Sequence, residues 1–342
     1  MKTKEILFTT LFILILASPA CKRHNQTLLP PCTGRPGEVV LILADDLYKG
    51  AIGDTLMHYL TQEEPALPSS GMEGAEPMFD VVHLPPSGFS NIIRPARNLL
   101  IIDVDRQYTQ PEITALKDFW ARDQILIKID VPDKEQLITT LLENKDFIIS
   151  TLRDGEVTRQ EAISRQFANE ELSARLLRSH EIIMSFPKGF DIRLDTGHFA
   201  WIHFDPADMT LGMLIWDYPY TDQAQMSYPE LISYADQHLK PRVPGPSRGS
   251  YMSLNLNIPV MTRNLTVNGN FVTELRGLWE TVGDFMGGPF ISWSYVDEQR
   301  NRIVTAFGYV YAPKIGKRNQ VRKLEGILRT VDFPDQGIRS NN

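Results

Sequence analysis

The first half of the chain alternates apolar runs with amphipathic segments. Four runs are apolar with little period-two alternation, and they cover residues 38–44, 79–84, 98–104 and 124–130. Strands of this kind are typical of a sheet that is covered on both faces. Helical spacing between and after the runs predicts helices over 51–60, over 111–120 and from 134 onward, the last capped by Asp133. Strands that alternate with helices predict a three-layer α/β domain with helices on both faces of its sheet.

The second half follows another pattern. A charged helical stretch at about 155–179 leads into two successive units, each made of short strands followed by a helix. The predicted strands lie near 181–186, 198–204, 211–217, 271–280, 289–297 and 302–311, and the predicted helices cover 228–239 and 318–329. We therefore expect an antiparallel-sheet α+β domain with two similar halves. Trp201 and Asp205 recur at one common offset as Trp293 and Asp297, in line with this repetition.

The N-terminus has the layout of a secretion signal. A short basic region precedes an apolar segment, 6–16, which is too short to span a bilayer, and small residues follow it. Two interpretations of Cys21 are open: ordinary cleavage followed by pairing with Cys32, or acylation of Cys21 as the first residue of a bacterial lipoprotein. The position directly after a small-residue cleavage site favours lipidation, although Ser18 stands where such motifs usually have leucine.

Lipidation of Cys21 makes the membrane a partner and predicts the location of the protein. Lys22, not aspartate, follows the cysteine, which resembles the pattern that directs lipoproteins of diderm bacteria to the outer membrane. Residues 22–32 contain no acidic side chain of the kind that accompanies surface display. We expect a cell-envelope protein anchored in the periplasmic leaflet of the outer membrane. Cys32 is then left without an intramolecular disulfide partner, and its role is open.

The patterns together predict six regions. They are a lipoprotein signal peptide (1–20), a tether (21–37), an α/β domain (38–150), a helical connector (151–180), an α+β domain (181–333) and a C-terminal tail (334–342). The formal net charge of −7 argues against a nucleic-acid partner. The content of 42% hydrophobic and 23% charged residues is ordinary for a globular protein.

Three stretches of the sequence, together with the lipoprotein-like N-terminus, resemble a known family. They read GEVVLILADDLYKGAIGD, EPMFDVVHLPPSGFSNIIRPARNLLIIDVD and GLWETVGDFMGGPFISW. They are similar to Bacteroidetes lipoproteins grouped as domain of unknown function 4837, over roughly residues 34–333. The resemblance implies an envelope location and a shared fold, and it implies no activity.

Acidic residues at strand ends are the first candidate site. They are Asp45, Asp46, Asp103, Asp105 and Asp130. Ligands of open α/β sheets bind at the carboxyl ends of strands, and converging carboxylates suit Mg²⁺ or Ca²⁺. Aspartate after a strand more commonly caps a helix or forms a turn, so we expect no cofactor and keep the divalent metal as the alternative.

Aromatic residues around a Gly-Gly-Pro turn are the second candidate. Phe285, Phe290, Trp293 and Tyr295 would present rings to a glycan or peptide if they formed an exposed loop. The commoner interpretation is a turn that enters a strand with alternating core and solvent positions. The third candidate is the basic stretch 314–329, which would contact anionic headgroups or glycans, or form a solvated helix face.

No common catalytic motif is present in the sequence. It contains no G-x-G-x-x-G, P-loop, G-x-S-x-G, H-E-x-x-H or C-x-x-C pattern. We therefore expect a non-catalytic binding or assembly module in the periplasm, with a glycan, a peptide or an envelope protein as its partner. The alternative is a metal-dependent or hydrolytic envelope enzyme that uses the strand-end carboxylates.

Overall fold

The computed structural model describes residues 29–65, 67 and 76–334, and this part contains two β-sheets. The strands are β1 (Glu38–Ile42), β2 (Asp80–Leu84), β3 (Asn98–Val104), β4 (Glu112–Lys117), β5 (Ile125–Val131), β6 (Asp191–Asp195), β7 (Phe199–Phe204), β8 (Thr210–Pro219), β9 (Tyr251–Asn255), β10 (Met261–Val267), β11 (Asn270–Val282), β12 (Gly287–Asp297) and β13 (Arg302–Tyr311). The α-helices are α1 (Asp45–Tyr48), α2 (Ala51–Leu60), α3 (Lys134–Gln166), α4 (Glu170–His180), α5 (Tyr228–Arg242) and α6 (Arg318–Leu328). The mixed α/β first half and the antiparallel second half confirm the predicted fold class.

The first sheet has the strand order β2-β1-β3-β5-β4. Its strands run parallel except β4, which pairs antiparallel with β5. The helix predicted over 111–120 is therefore wrong, because this segment forms the edge strand β4. Ile113 pairs with Ile129 and Leu116 with Leu126, so edge pairing overrides the helical spacing of the apolar residues.

Helices α2 and α3 both pack on one face of this sheet. Their buried residues share one core cluster with the strand residues Leu41 and Ile129. The other face carries a smaller cluster around Leu99, and it is covered by residues of the connection between β2 and β3 and by Trp120. Irregular chain thus supplies the third layer, in place of the helices that were expected there.

Helix α3 joins the two halves of the molecule. Asp133 caps it as predicted, since its side chain accepts a hydrogen bond from the Gln136 backbone N–H. The helix continues to Gln166, so the predicted domain boundary at residue 150 falls inside it. Asn169 then caps α4. The charged helical stretch predicted at 155–179 consists of the end of α3 followed by α4.

The second sheet is antiparallel, with the order β10-β11-β12-β13-β8-β7-β6. Strand β9 pairs with the same edge of β11 as β10, further along that strand. The strand predicted at 181–186 is wrong, because this segment makes one isolated bridge, from Ile183 to Asp332. Its alternate apolar residues Ile182 and Met184 are nevertheless buried in the core.

The order of strands followed by a helix occurs twice in this half. Strands β6 to β8 precede α5, and β11 to β13 precede α6. Helix α5 packs on one sheet face, against Trp216, whereas α6 packs on the other, against Ile291. The two halves therefore share an order of elements, but their helices lie on opposite faces of the sheet.

Helix α6 packs closely against α3. A β-carbon at Gly326 would lie 2.6 Å from the β-carbon of Gln160 and 2.7 Å from its carbonyl carbon. Glycine at this position therefore permits the approach of the two helices. Within residues 29–65, 67 and 76–334, no helix is both long and apolar enough to cross a membrane.

Candidate functional site

A cavity of about 860 Å³ lies between helix α3 and the face of the second sheet that carries α6. Strands β10, β11 and β12 line its floor, while α3 and α6 contribute walls. Gln62 and Pro65 line it from the segment after α2. Both halves of the molecule thus contribute residues to the same cavity.

Strand register brings three side chains into a row on the cavity floor. Arg263 of β10 pairs in register with Glu274 of β11, which pairs with Trp293 of β12. Partners in neighbouring strands project on the same sheet face, so their side chains meet. The Glu274 carboxylate accepts hydrogen bonds from Arg263 Nε and, at 2.7 Å, from Trp293 Nε1.

Arg276 extends this row toward α6. Its Nε and Nη2 atoms donate to the Glu274 carboxylate at 2.8 and 2.9 Å. Nη2 also lies 2.8 Å from an oxygen of Glu325, on α6. The Arg276 side chain is only 4% exposed and that of Glu325 only 1%. These are charged groups in the protein interior, where an unpaired ion is strongly destabilising.

Arg153 connects α3 to the same group of charges. Its two terminal nitrogens donate to both Glu325 oxygens at 3.1 and 2.6 Å. Its Nε donates to Glu64 at 3.2 Å, and Arg322 donates to the other Glu64 oxygen at 2.6 Å. We call this set the arginine–glutamate network: Glu64, Arg153, Arg263, Glu274, Arg276, Arg322 and Glu325.

The arginines keep the buried carboxylates of the network ionised. Burial alone would raise the pKa of Glu325, but the charges of Arg153 and Arg276 hold that pKa well below its usual range. Burial also raises the pKa of Glu274, but the charge of Arg276 and its hydrogen bonds lower it, and the net shift is downward. Neither carboxylate is protonated near neutral pH, so neither can donate a proton as a general acid there.

The predicted aromatic residues do not form one exposed surface. Phe290, Trp293 and Tyr295 are buried, whereas Phe285 is fully exposed. Trp293 and Tyr295 lie in the core cluster beneath α6, and Phe290 lies in the cluster on the α5 face. Trp293 is the member of this set that lines the cavity.

The strand-end aspartates do not gather into one group of ligands, although Asp103 and Asp130 are register partners of β3 and β5 and both interact with Tyr108. Asp46 is bonded to Lys134, Asp103 accepts from the Tyr108 hydroxyl, and Asp130 is bonded to Lys128. Asp45 lies 3.9 Å from Lys49, and Asp105 accepts from the Gln107 backbone N–H. Across the described ranges, no three His, Cys, Asp or Glu side chains are grouped so that they could hold a metal ion.

The basic stretch 314–329 turns two of its arginines toward the protein interior. Arg318 is paired with Asp80 at 2.7 Å, and Arg322 belongs to the arginine–glutamate network. Both are buried. These two charges hold α6 against the first half of the molecule and are not available to headgroups or glycans.

The structure describes one of the two cysteines. Cys21, the predicted lipidation site, lies outside the described residues. Cys32 is a free thiol of intermediate exposure. Burial raises the pKa of the Cys32 thiol, which disfavours the reactive thiolate.

Sequence reasoning missed the network because its members are far apart along the chain. Glu64, Arg153 and Glu325 carry no local motif, and Arg263 lies on an edge strand that the hydrophobic pattern does not predict. One signal was present: Glu274 and Arg276 occupy alternate positions of a strand whose other residues are largely apolar. Charges at such positions indicate buried partners.

Family models match both halves of the chain. Residues 169–330 match the model described as Domain of unknown function (DUF4837).

This match confirms the predicted resemblance for the second half of the chain. Residues 32–165, which were expected to share it, match a separate model, Domain of unknown function (DUF8532). Glu274, Arg276 and Glu325 lie within the DUF4837 match, whereas Glu64 and Arg153 lie within the DUF8532 match. The cavity therefore lies where the two matched regions meet.

Comparison with curated proteins gives no match. Among solved structures, the Saccharomyces cerevisiae Ran-binding protein Mog1p is 12% identical, with a TM-score of 0.29, and the match covers 46% of this chain and 92% of that one. LpqN, involved in cell envelope biogenesis of Mycobacterium tuberculosis, is 13% identical, with a TM-score of 0.28 and coverage of 45% and 83%. A Bacteroides thetaiotaomicron protein is 8% identical, with a TM-score of 0.21 and coverage of 46% and 47%. Likenesses at this level carry no functional argument.

The network predicts how acid changes stability when Glu325 is replaced by glutamine. The folded-state pKa of Glu325 lies below the unfolded value of about 4.3. The carboxylate therefore stabilises the protein fully above that unfolded value and progressively less as the pH falls below it. Glu325→Gln should destabilise by about 3–5 kcal/mol at pH 7, since it leaves Arg153 and Arg276 short of a counter-charge. The difference in unfolding free energy between Glu325→Gln and wild type should be smaller by about 1 kcal/mol at pH 3.5 than at pH 7.

Urea unfolding of both proteins at the two pH values measures this gap. Glu143→Gln, at an exposed position on the same helix as Arg153, is the matched control and should stay within about 0.5 kcal/mol of wild type. A gap between Glu325→Gln and wild type that is equal at pH 7 and pH 3.5 would contradict the low pKa of Glu325.

Proposed function

We propose that this chain is a lipid-anchored protein of the cell envelope that binds a polar small molecule in its cavity, without catalysis. The observation that carries the proposal is the floor of the cavity, where Glu274 and Glu325 are held ionised by buried arginines. The site thus offers fixed charges and hydrogen-bond donors. Such groups orient a bound molecule, which is the property expected of a binding pocket.

Catalysis draws no support from the groups that line the cavity. A general acid or base needs a pKa near the working pH, and the arginines move those of Glu274 and Glu325 away from it. Ser150 is on the cavity wall, but its hydroxyl donates to the Phe147 carbonyl of its own helix. The alternative metal-dependent or hydrolytic enzyme relied on strand-end carboxylates. Asp103 and Asp130 are register partners that share Tyr108, but among the described residues no third possible ligand joins them, and no observation favours this alternative.

The anchor is proposed from the sequence around Cys21. A cysteine that directly follows a small-residue cleavage site is the acylation position of bacterial lipoproteins. Pro31 and Thr33 already pair with Arg122 and Ala96 of the folded body. Only residues 22–30 then separate the lipid from the body, a span of at most about 30 Å.

This short span keeps the folded body close to the membrane that carries the anchor. Lys22 directly after Cys21, and the absence of acidic residues from 22–32, favour the periplasmic leaflet of the outer membrane. The molecule would therefore meet its ligand in the periplasm.

Replacement of the acylated thiol tests the anchor. In its native host, Cys21→Ser should move the protein from the detergent phase to the aqueous phase on Triton X-114 partitioning. Cys32→Ser, which changes the other cysteine, should leave partitioning unchanged. Full retention of Cys21→Ser in the detergent phase would refute the proposed anchor.

Obstruction of the cavity tests the binding function. Native mass spectrometry of protein extracted from its own envelope should detect a small-molecule adduct on the wild type. Ser150→Trp places a large ring on the α3 wall and should abolish the adduct, because Ser150 lines the cavity. Ser233→Trp, at an exposed position of α5 on the other sheet face, should retain it. Absence of an adduct from the wild type, or its persistence in Ser150→Trp, would overturn the binding function.

A further inference from the structure

We propose that the ligand carries a carboxylate group, which binds in the cavity beside Arg263 and Arg276. This inference rests on the proposed binding function and adds the chemical class of the ligand.

The network carries one more positive than negative charge. Its four arginines face three glutamates, and six of its seven members are buried or nearly so. The six buried members balance, with three charges of each sign, so the surplus is carried by Arg263, whose half-exposed side chain can meet an anion in the cavity. A single carboxylate in the adjoining cavity would bring the network to neutrality.

The network also has more hydrogen-bond donors than acceptors. Arg276 Nη1 is buried and has no acceptor among the described residues, and Arg276 lines the cavity. Buried donors in folded proteins nearly always have a partner. A carboxylate supplies acceptors only, and its bonds to a guanidinium are about twice as strong as neutral ones.

Arg263 is the member of the network that a ligand can reach directly. Its side chain is 51% exposed, although Nε is bonded to Glu274, and it lines the cavity together with Arg276. The remaining guanidinium nitrogens of Arg263 are therefore the first contact for an entering carboxylate. Arg276 donates to the same carboxylate of Glu274 and supplies a second, buried positive charge at the cavity.

The rim of the cavity limits the charge of the ligand to one. Arg329 on the rim is paired with Asp154 at 2.6 Å, and Glu161 of the lining is paired with Arg165 at 3.0 Å, so these two pairs add no net charge. Asp146, exposed on α3, adds a negative charge to the lining. A second carboxylate that extended toward Asp146 would be repelled, whereas a neutral or cationic end would not. The geometry thus favours a monocarboxylate.

Two matched probes test the requirement for a carboxylate. N-acetylglycine is a monocarboxylate, and N-acetylglycinamide has nearly the same shape with a neutral amide in its place. Isothermal titration of the detergent-solubilised full chain at neutral pH should detect binding of N-acetylglycine. The amide should bind at least about tenfold more weakly, because it lacks the charge that the arginines neutralise.

Variants locate the binding site. Arg263→Gln removes the surplus charge and should weaken binding of N-acetylglycine by about tenfold or more. Arg175 on α4 is 49% exposed and paired with Asp195 of β6. Arg175→Gln is the matched control and should bind like wild type. Ser150→Trp leaves the network intact and should also lose binding, which keeps the test available if Arg263→Gln does not fold.

Each failure has its own meaning. The carboxylate inference would be overturned if N-acetylglycine and N-acetylglycinamide bound with equal affinity, or if folded Arg263→Gln bound N-acetylglycine like wild type. It would also be overturned if N-acetylglycine did not bind below about 10 mM. If the native adduct persists in such a case, the binding function stands and its ligand is not a carboxylate. If neither the adduct nor probe binding is detected, the binding function fails as well.

Discussion

The ion pair between Arg153 and Glu325 is the interaction on which the rest of the structure depends. It joins α3 to α6 through two hydrogen bonds, and both side chains are almost fully removed from water. Loss of one partner from such a pair leaves an uncompensated charge in the interior, which costs several kcal/mol. The two halves of the molecule are therefore held in one arrangement by electrostatics as well as by apolar packing. The same requirement explains why further charges, from Glu64 and Arg276, gather around the pair.

This arrangement produces the cavity. Gly326 lets α6 approach α3, while the sheet continues past α6 to the edge strand β10. The space between β10 and α3 is lined by side chains from both halves, and the charges that stabilise the contact also form its floor. One set of residues thus serves assembly of the two halves and recognition of a ligand. The carboxylates contribute as fixed charges, because the arginines keep them ionised at neutral pH.

The sequence predicted the parts of the fold that depend on local hydrophobic patterning. The unbroken runs of β1 and β3 and the Asp133 cap of α3 are features of a few consecutive residues. Edge strands such as β4 and β10 were missed because half-exposed strands lack that pattern. Of the proposed site, only Trp293 was named from the sequence. The other members are brought together by tertiary structure from positions as distant as Glu64 and Glu325, and no spacing rule connects them. The basic residues of α6 were visible, but their inward direction depends on partners in the other half.

The central claim, that buried arginines hold the cavity carboxylates ionised, is open to direct measurement. A ¹³C NMR titration of glutamate side-chain carboxyl carbons observes each protonation separately, and Glu274→Gln and Glu325→Gln assign the two signals. The account predicts that both midpoints lie below the ordinary glutamate value of about 4.3. A midpoint above that value for either residue, and above all one between pH 5 and pH 7, would show that the cavity contains a carboxyl group able to exchange protons. That result would contradict the account, because such a carboxyl group could act as a general acid or base in catalysis.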